Sequence, residues 1–564
     1  MTNFPLFGRS PVVARAPAAT QCRAGTGRAR RPSRLPLVCV LAAPALLLDA
    51  TPLSAAVPAP LPKWSYAGCS AGDCQTGWYA SPAAGDIDGD GQVEVVWGGQ
   101  NIAAYNGATG AQEWQQTGSG RIWPAIGLAD LDGDGTLEIV VGRNGNQLTV
   151  YAGNGTTKNG WPKSPFSGGE VRTLALDDLE NDGDLEIIVG RASSGGDRQV
   201  SVYEHNGTVR AGWPARRTGE PGTGAGMYNE NIAVADLDND GAKEIYAPTD
   251  THYITALAPN GDQLRTNAVY GLSAGQLKTW AQVGVHVDQA ADLKGFADCG
   301  TQHRPNFANA APAVADLDGD GTRELVVPGD VYNCAIGDPE GDLYYLPWIL
   351  RRDRTRWSGS GFDWTVLPPP GASGAALTQD FSVIESSVSN AVLADLDGDG
   401  RKEILFASYD GKLHAWWLDK TEKHSWPYDV PGSGIRFAAE PVVADLDNDG
   451  CAEVLFTSYP EKRDNLVGQL HVLNCRGELL HALNLPAPRG DDWNGGLGAP
   501  TLANIDADAD LELVAGTAQS GLVAWDLPGS ANARVLWGTG RGSQRRTGVA
   551  LMVSERIFAD GFQR

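Results

Sequence analysis

Short apolar runs rich in valine, isoleucine, leucine and alanine recur along this chain, each broken by a stretch that is mostly acidic. Residues 442–456 read VVADLDNDGCAEVLF, two apolar runs enclosing three aspartates at alternate positions, a glycine and a glutamate. Runs of this length, bounded by glycine and aspartate and without a helical period, predict β-strands joined by a tight loop. Near-copies start at Asp86 (DIDGDGQVE), Asp130 (DLDGDGTLE), Asp178 (DLENDGDLE), Asp236 (DLDNDGAKE), Asp316 (DLDGDGTRE), Asp395 (DLDGDGRKE) and Asn504 (NIDADADLE), and with Asp445 they number eight. Successive starts lie 44, 48, 58, 80, 79, 50 and 59 residues apart, so the repeating unit is a supersecondary element and not a short tandem tract.

With the loop numbered 1 to 9 from its first residue, positions 1, 3 and 5 carry the acidic set. They are Asp86, Asp88 and Asp90; Asp130, Asp132 and Asp134; Asp178, Glu180 and Asp182; Asp236, Asp238 and Asp240; Asp316, Asp318 and Asp320; Asp395, Asp397 and Asp399; Asp445, Asp447 and Asp449; and Asn504, Asp506 and Asp508. Position 9 is always glutamate: Glu94, Glu138, Glu186, Glu244, Glu324, Glu403, Glu453 and Glu512. Position 7 follows no rule (Gln92, Thr136, Asp184, Ala242, Thr322, Arg401, Cys451, Asp510), as expected of a residue that offers only its backbone carbonyl. Such an oxygen cage suits a hard cation. Calcium takes six to eight oxygens at about 2.3 to 2.6 Å, and the EF-hand uses the same spacing over its first seven positions.

An EF-hand brings its glutamate at position 12 and flanks the loop with helices. Here it comes at 9 between strands, which predicts a strand-loop-strand calcium site with the residues above as ligands and up to eight ions per chain. Position 6 is glycine in seven copies and position 4 is glycine or asparagine in seven, as a loop wrapping an ion at positive φ requires. Four unneutralised carboxylates within about 5 Å would repel one another, which argues against an empty acidic turn. Eight equivalent sites are redundant for acid-base catalysis but natural for structural pins. Glu180 at position 3, and Asn504 with Ala507 and Ala509 in the last copy, depart from the pattern, so the eighth site is expected to be the weakest.

Fuller units such as AIGLADLDGDGTLEIVVGRNGNQLTVYAGNG read as strand, acidic loop, strand, and a third strand ending at a turn (AGNG, EHNG), followed by a weaker fourth (KNGWP, RAGWP). Eight units of four antiparallel strands predict an all-β fold, a β-propeller of eight blades with seven as the alternative. The repeats resemble the FG-GAP or VCBS family, best known from the propeller of integrin α subunits. The resemblance covers roughly residues 80–540; it implies calcium in the loops named above and says almost nothing about activity.

Composition changes the picture at the ends of the chain. Arg28, Arg30, Arg31 and Arg34 precede LPLVCVLAAPALLL, and Ser54, Ala55 and Ala56 offer small residues for cleavage. That apolar run falls short of the ~20 residues a membrane span needs. It predicts a signal peptide over 1–56, with the paired arginines leaving the twin-arginine route open. The remainder is read as a propeller over 57–550, with long insertions at about 272–308 and 357–388, and a C-terminal tail over 551–564 of unassigned role. Removing residues 1–56 takes away seven arginines and one aspartate and moves the net charge from −24 to −30, which argues against nucleic acid as a partner. Six cysteines remain, an even number that favours disulfides in an exported chain. The expected pairs are Cys69 with Cys74, Cys299 with Cys334, and Cys451 with Cys475. Secretion, or a periplasmic or cell-surface location, is expected, as is a monomer.

In an up-and-down blade the first and third turns share one face, and the second turn and the crossover share the other. The acidic loops are first turns. The long insertions (215–230, 272–308, 332–342, 357–388 and 486–500) are expected on the opposite face, where a rigid scaffold carries its variable loops. That face would hold Trp280, His286, His303, Arg304, Trp357, Trp364 and Trp493, able to stack on sugars or to pack their own loops. No HExxH, GxSxG, phosphate-cradling glycine loop or nucleophilic cysteine pattern is present, so no catalytic residue is assigned. The expected function is a calcium-stabilised module binding a protein or glycan on the face opposite the calcium loops. The alternative is a polysaccharide lyase-like enzyme on the same scaffold, with His286, His303 or Arg304 as base.

Overall fold

The computed structural model describes residues 57–550 apart from 71–72, 75–76, 78, 193–198, 214–225, 295–302, 334–343, 370–375, 378–386, 462–464 and 490–492. One register recurs in every repeat. The residue before the loop pairs with the loop's glutamate across antiparallel strands: Gly85 with Glu94, Ala129 with Glu138, Asp177 with Glu186, Ala235 with Glu244, Ala315 with Glu324, Ala394 with Glu403, Ala444 with Glu453 and Ala503 with Glu512. The nine-residue loop is therefore a closed hairpin connection. The sheets form an eight-bladed β-propeller, as the repeat predicts.

Most inner strands are short and wholly buried, as Ala83–Gly85 and Val392–Ala394 illustrate, while that of blade 3, Glu170–Asp177, is longer; blade 1 runs Ala83–Gly85, Glu94–Trp97, Ile102–Asn106 and Gln112–Gln116 in sheet order. The expected fourth strand is incomplete in blades 2 to 5, where isolated bridges such as Tyr151 to Thr157 and Tyr203 to Val209 stand in its place. In blade 2 the segment after that bridge passes through Trp161 and Pro162, and proline has no N–H to donate, before Lys163 pairs again with Leu148.

Both chain ends take part in closure, in ways the repeat does not announce. Leu61–Ala67 pairs antiparallel with Leu522–Leu527 as the outermost strand of blade 8, so the first described strand completes the last blade. Arg534–Trp537 pairs with Val442–Asp445, the innermost strand of blade 7, and so enters the central channel. The chain then circles inside it. The residues two before the loop in blades 8, 2, 3, 4 and 5 (Leu502, Leu128, Leu176, Val234, Val314) donate their N–H groups to the carbonyls of Gly538, Gln544, Arg545, Thr547 and Gly548 at 2.8 to 3.1 Å. Inner-strand edges that would otherwise need water are thereby satisfied.

Arg541 and Arg546 are buried in this plug. Arg546 donates to the carbonyls of Ile126, Gly540 and Pro82 and to Thr539 Oγ1, and Arg541 to the carbonyls of Ile232 and Pro312. Their counter-charges are buried too: Glu440 accepts from the Trp537 indole and the Arg541 N–H, and Glu230 from the Ala125 N–H.

Tryptophans join the blades. Trp64, Trp114, Trp161, Trp213, Trp280, Trp364 and Trp426 each donate the indole N–H to a carbonyl in the third turn of the following blade: Gly107, Gly153, His205, Pro259, Arg352, Leu418 and Cys475 respectively. At the remaining joint, between blades 7 and 8, His481 Nε2 donates to the Val57 carbonyl at 2.8 Å. The turn glycine seen in AGNG is explained by this contact. Gly155 has φ +79°, and a Cβ there would lie 2.8 Å from the Trp114 ring.

Candidate metal centres and the opposite face

The acidic loops are organised by their own backbone. The position-5 carboxylate accepts the position-7 N–H in all eight copies, at 2.8 Å for Gln92 on Asp90 and 3.1 Å for Asp184 on Asp182. The position-1 aspartate accepts the position-6 N–H in seven, and the exception is Asn504, whose amide donates instead to the Asp508 carbonyl. Positive φ falls at positions 4 and 6 of those same seven loops, for example +58° at Asn239 and +95° at Gly241. The glutamate at position 9 has a double role. One of its oxygens accepts the position-2 N–H in every copy, as Glu403 does from Leu396 at 2.8 Å, which ties the loop shut from inside.

Carboxylate oxygens of Asp86, Asp88 and Asp90 converge within 4.8 Å of one another, as do those of Asp130, Asp132 and Glu138, of Asp178, Glu180 and Glu186, of Asp236, Asp238 and Glu244, and of Asp316, Asp318 and Glu324. Several of these clusters could hold metal ions. Asp318 Oδ2 and Asp395 Oδ1 are buried and accept no hydrogen bond, the condition of an oxygen suited to a cation. Burial raises the position-9 carboxyls, with the neighbouring aspartates adding to the effect, to about 8 at Glu324 and Glu453. A hard oxygen-seeking ion would relieve that repulsion, so the donor set fits calcium.

Basic side chains enter some loops. Lys158 Nζ lies 2.6 Å from Glu138 and 3.2 Å from Asp132. Arg210 pairs with Glu186 at 3.0 Å and with Glu180. Arg352, from the next blade, lies 2.9 Å from Asp238, and Lys63 pairs with Asp506 and, at 3.0 Å, with Glu512.

Two expected disulfides are present, Cys69 with Cys74 and Cys451 with Cys475, the latter tying position 7 of the seventh loop to the third turn of its blade. The proposed Cys299–Cys334 pair, the signal segment and the 551–564 tail lie outside the described residues.

The assignment of every long insertion to the opposite face needs correction. The hairpin of Leu272–Ser273 with Gln276–Leu277 precedes Trp280, and the indole of Trp280 meets Arg352, the residue that also reaches Asp238 in the fourth acidic loop. The hairpin of Ser358–Gly359 with Phe362–Asp363 likewise sits on the acidic-loop side, with the Arg401 guanidinium 5.5 Å from the Phe362 ring. Both hairpins interrupt the fourth strand after its first residues, Leu264 and Trp357, and the chain returns to pair there through Trp280 and Trp364, which therefore belong to the inter-blade ring.

Trp357 and Trp493 are buried as well. His286 is fully buried, with Nδ1 3.2 Å from Asp292, which Arg354 and Arg356 also contact. Trp357 stacks on Phe362 of its own hairpin. His303 and Arg304 lie half-buried in His303–Asn306, a strand added along the far end of Glu324–Asn333.

On that opposite face, a group the sequence reading missed surrounds Trp123. Arg121 and Arg172 place their guanidinium carbons 4.6 and 3.9 Å from the Trp123 ring centroid, and Glu170 bridges the two at 2.7 and 2.8 Å. Tyr79 packs on the same ring with centroids 4.4 Å apart, and Asn229 accepts the indole N–H. The only sequence signal was an arginine two residues before a tryptophan in a crossover, RIWP, too short to separate from chance.

An FG-GAP-like repeat profile matches residues 130–189, 178–247 and 395–456. No curated protein matches the sequence. Among solved structures, the biofilm matrix protein Bap1 of V. cholerae is similar at 13% identity, with 89% of this chain and 98% of that chain covered and a TM-score of 0.50. The rhamnogalacturonan lyase YesW is similar at 16% identity, covering 83% and 75% with a TM-score of 0.45, and the rhamnogalacturonan lyase PL11 of Bacillus licheniformis at 16%, covering 83% and 74% with a TM-score of 0.43. At these identities the likeness is one of fold alone. The chain therefore carries FG-GAP-like repeats over residues 130–247 and 395–456, within an eight-bladed β-propeller.

Proposed function

We propose that this protein is an exported, calcium-stabilised propeller that binds a glycan or protein ligand on the face opposite its acidic loops. The observation that carries the reading is the Arg121, Glu170, Arg172 and Trp123 platform. Two guanidinium groups over an indole, bridged by a single carboxylate, leave a local positive charge on a chain of net charge −24. Trp123 and Glu170 are themselves buried and Arg121 holds Glu170 through both Nε and Nη2, so what the surface presents is the outer edge of the guanidinium groups, a cation suited to an anionic group such as the carboxylate of an acidic sugar or side chain. The other face is committed to holding the blades, and the plug fills the axis. Two disulfides agree with export. A panel of acidic and neutral polysaccharides, titrated against wild type and Arg172→Ala, tests this. Binding to acidic members that falls at least tenfold in the variant is expected; equal binding by both proteins refutes the platform. Unsaturated products in the same panel would establish the lyase alternative.

A further inference from the structure

We infer that calcium, which the reading above places in the acidic loops, is excluded from loops 2, 3, 4 and 8 by the chain's own cations, so that at most four ions bind. This rests on the calcium reading and divides the eight loops into two classes.

The ammonium of Lys158 stands 2.6 Å from Glu138 Oε1 and 3.2 Å from Asp132 Oδ2. A calcium ion bound to the same two oxygens at about 2.3 to 2.6 Å would occupy almost the same point. Arg210 does the same between Glu180 and Glu186, Arg352 between Asp238 and Glu244, and Lys63 between Asp506 and Glu512. In each case the cation spans positions 3 and 9, the pair a metal would draw together. Two like charges at that separation repel one another. The tethered cation also has no dissociation step.

The structure shows how this arose locally. Lys158 and Arg210 occupy one slot at the start of the fourth strand, fixed by their N–H groups donating to Val150 and Val202. The same slot in blade 4 is Leu264, donating to Ala256, and there the cation comes instead from Arg352 of the neighbouring blade. In blade 5 the slot is Trp357, which is neutral. In blade 6 Lys423 pairs with Asp419 at 3.4 Å, while the Trp417 indole donates to Asp397. In blade 1 the fourth strand contributes Glu113, whose carboxyl is raised first by burial and then by Asp88 and Asp90, so this loop gains acid where loop 2 gains base.

The experiment is a count of ions. The full exported chain is stripped with chelator, equilibrated with excess calcium and measured by native mass spectrometry, alongside Lys158→Gln and Arg210→Gln. Four ions or fewer are expected in the wild type, and one more in each variant, with the variants' melting temperatures becoming more dependent on added calcium. Five or more ions in the wild type, or no gain in either variant, overturns the inference. Should one variant fail to fold, the wild-type count and the other variant still decide it. A wild type that binds no calcium at all removes the underlying reading, and is distinct from a count above four.

Discussion

Trp114 and Gly153 meet across the boundary between blades 1 and 2, the indole N–H 2.7 Å from the carbonyl oxygen. Seven of the eight joints share this device, and the rings of Trp64, Trp114 and Trp426 also lie against the turn glycines Gly110, Gly155 and Gly477. Replacing Trp280 or Trp364 with alanine removes a wholly buried ring and its hydrogen bond. A loss of about 3 to 5 kcal/mol is expected for each by chemical denaturation. Ligand affinity of the folded fraction should be unchanged, because both rings lie on the acidic-loop side.

Chelation should lower the melting temperature by many degrees, since an ion that binds only the native state adds RT ln(1 + [L]/Kd) per site. Sodium chloride should restore part of the loss by screening the repulsion among unfilled carboxylates. A melt that is indifferent to chelator would show that the loops hold without metal.

Adjacent blades should respond to pH in opposite directions. His414 is buried between Asp410 and Glu422; burial opposes its charge, but hydrogen bonds to the two carboxylates win and raise its pKa to about 9. Its contribution is complete below the unfolded value near 6.5 and is lost as pH rises toward 9. His471, stacked on Phe456, is held neutral by burial, with its pKa lowered to about 4. Its contribution is complete above about 6.5 and is lost as pH falls toward 4. Denaturation curves of His414→Gln should lose the alkaline slope, and those of His471→Gln the acid one.

Arg546→Ala should destabilise by about 3 to 5 kcal/mol, because it leaves Glu230 and Glu440 in the channel with half their positive charge. Burial and the neighbouring Glu440 already raise Glu230 to about 7. Thermal denaturation measures the effect, and a change under 1 kcal/mol would mean that water replaces the guanidinium.

Non-reducing peptide mapping should find Cys69 joined to Cys74, Cys451 to Cys475 and Cys299 to Cys334. A bond between Cys299 and Cys451 would contradict the placement of Cys451 on the acidic-loop face.

The loop was legible because its constraints are local. Aspartates at positions 1 and 5 bond N–H groups within five residues, and glycine or asparagine at positions 4 and 6 sits where φ must be positive, so the spacing carries the geometry. The register of eight hairpins followed from it. The tryptophan ring was hidden where an extra hairpin separates the third strand from its tryptophan, as before Trp280 and Trp364, so two members of a structural ring read as ligand contacts. Nothing local could mark Leu61–Ala67 as part of the last blade or Arg534–Trp537 as the start of a plug, since Leu61 pairs with Asp526 and Arg534 with Asp445, each in a different blade unit of the sequence. Position 9 was read as a metal ligand alone, whereas its equally general role is to accept the position-2 N–H.

The plug and the first strand set the order in which this molecule can be finished. Lys63 meets its partner Asp506 across 443 residues of sequence, and Arg546 meets Pro82 across 464. Contacts so remote in the chain form late, after the entropy of a very long loop has been overcome. Until the final segment arrives the ring has an open seam and an unlined bore, with bare strand edges at both. A chain synthesised from its N-terminus therefore cannot close its ring until residues 534–550 have been made.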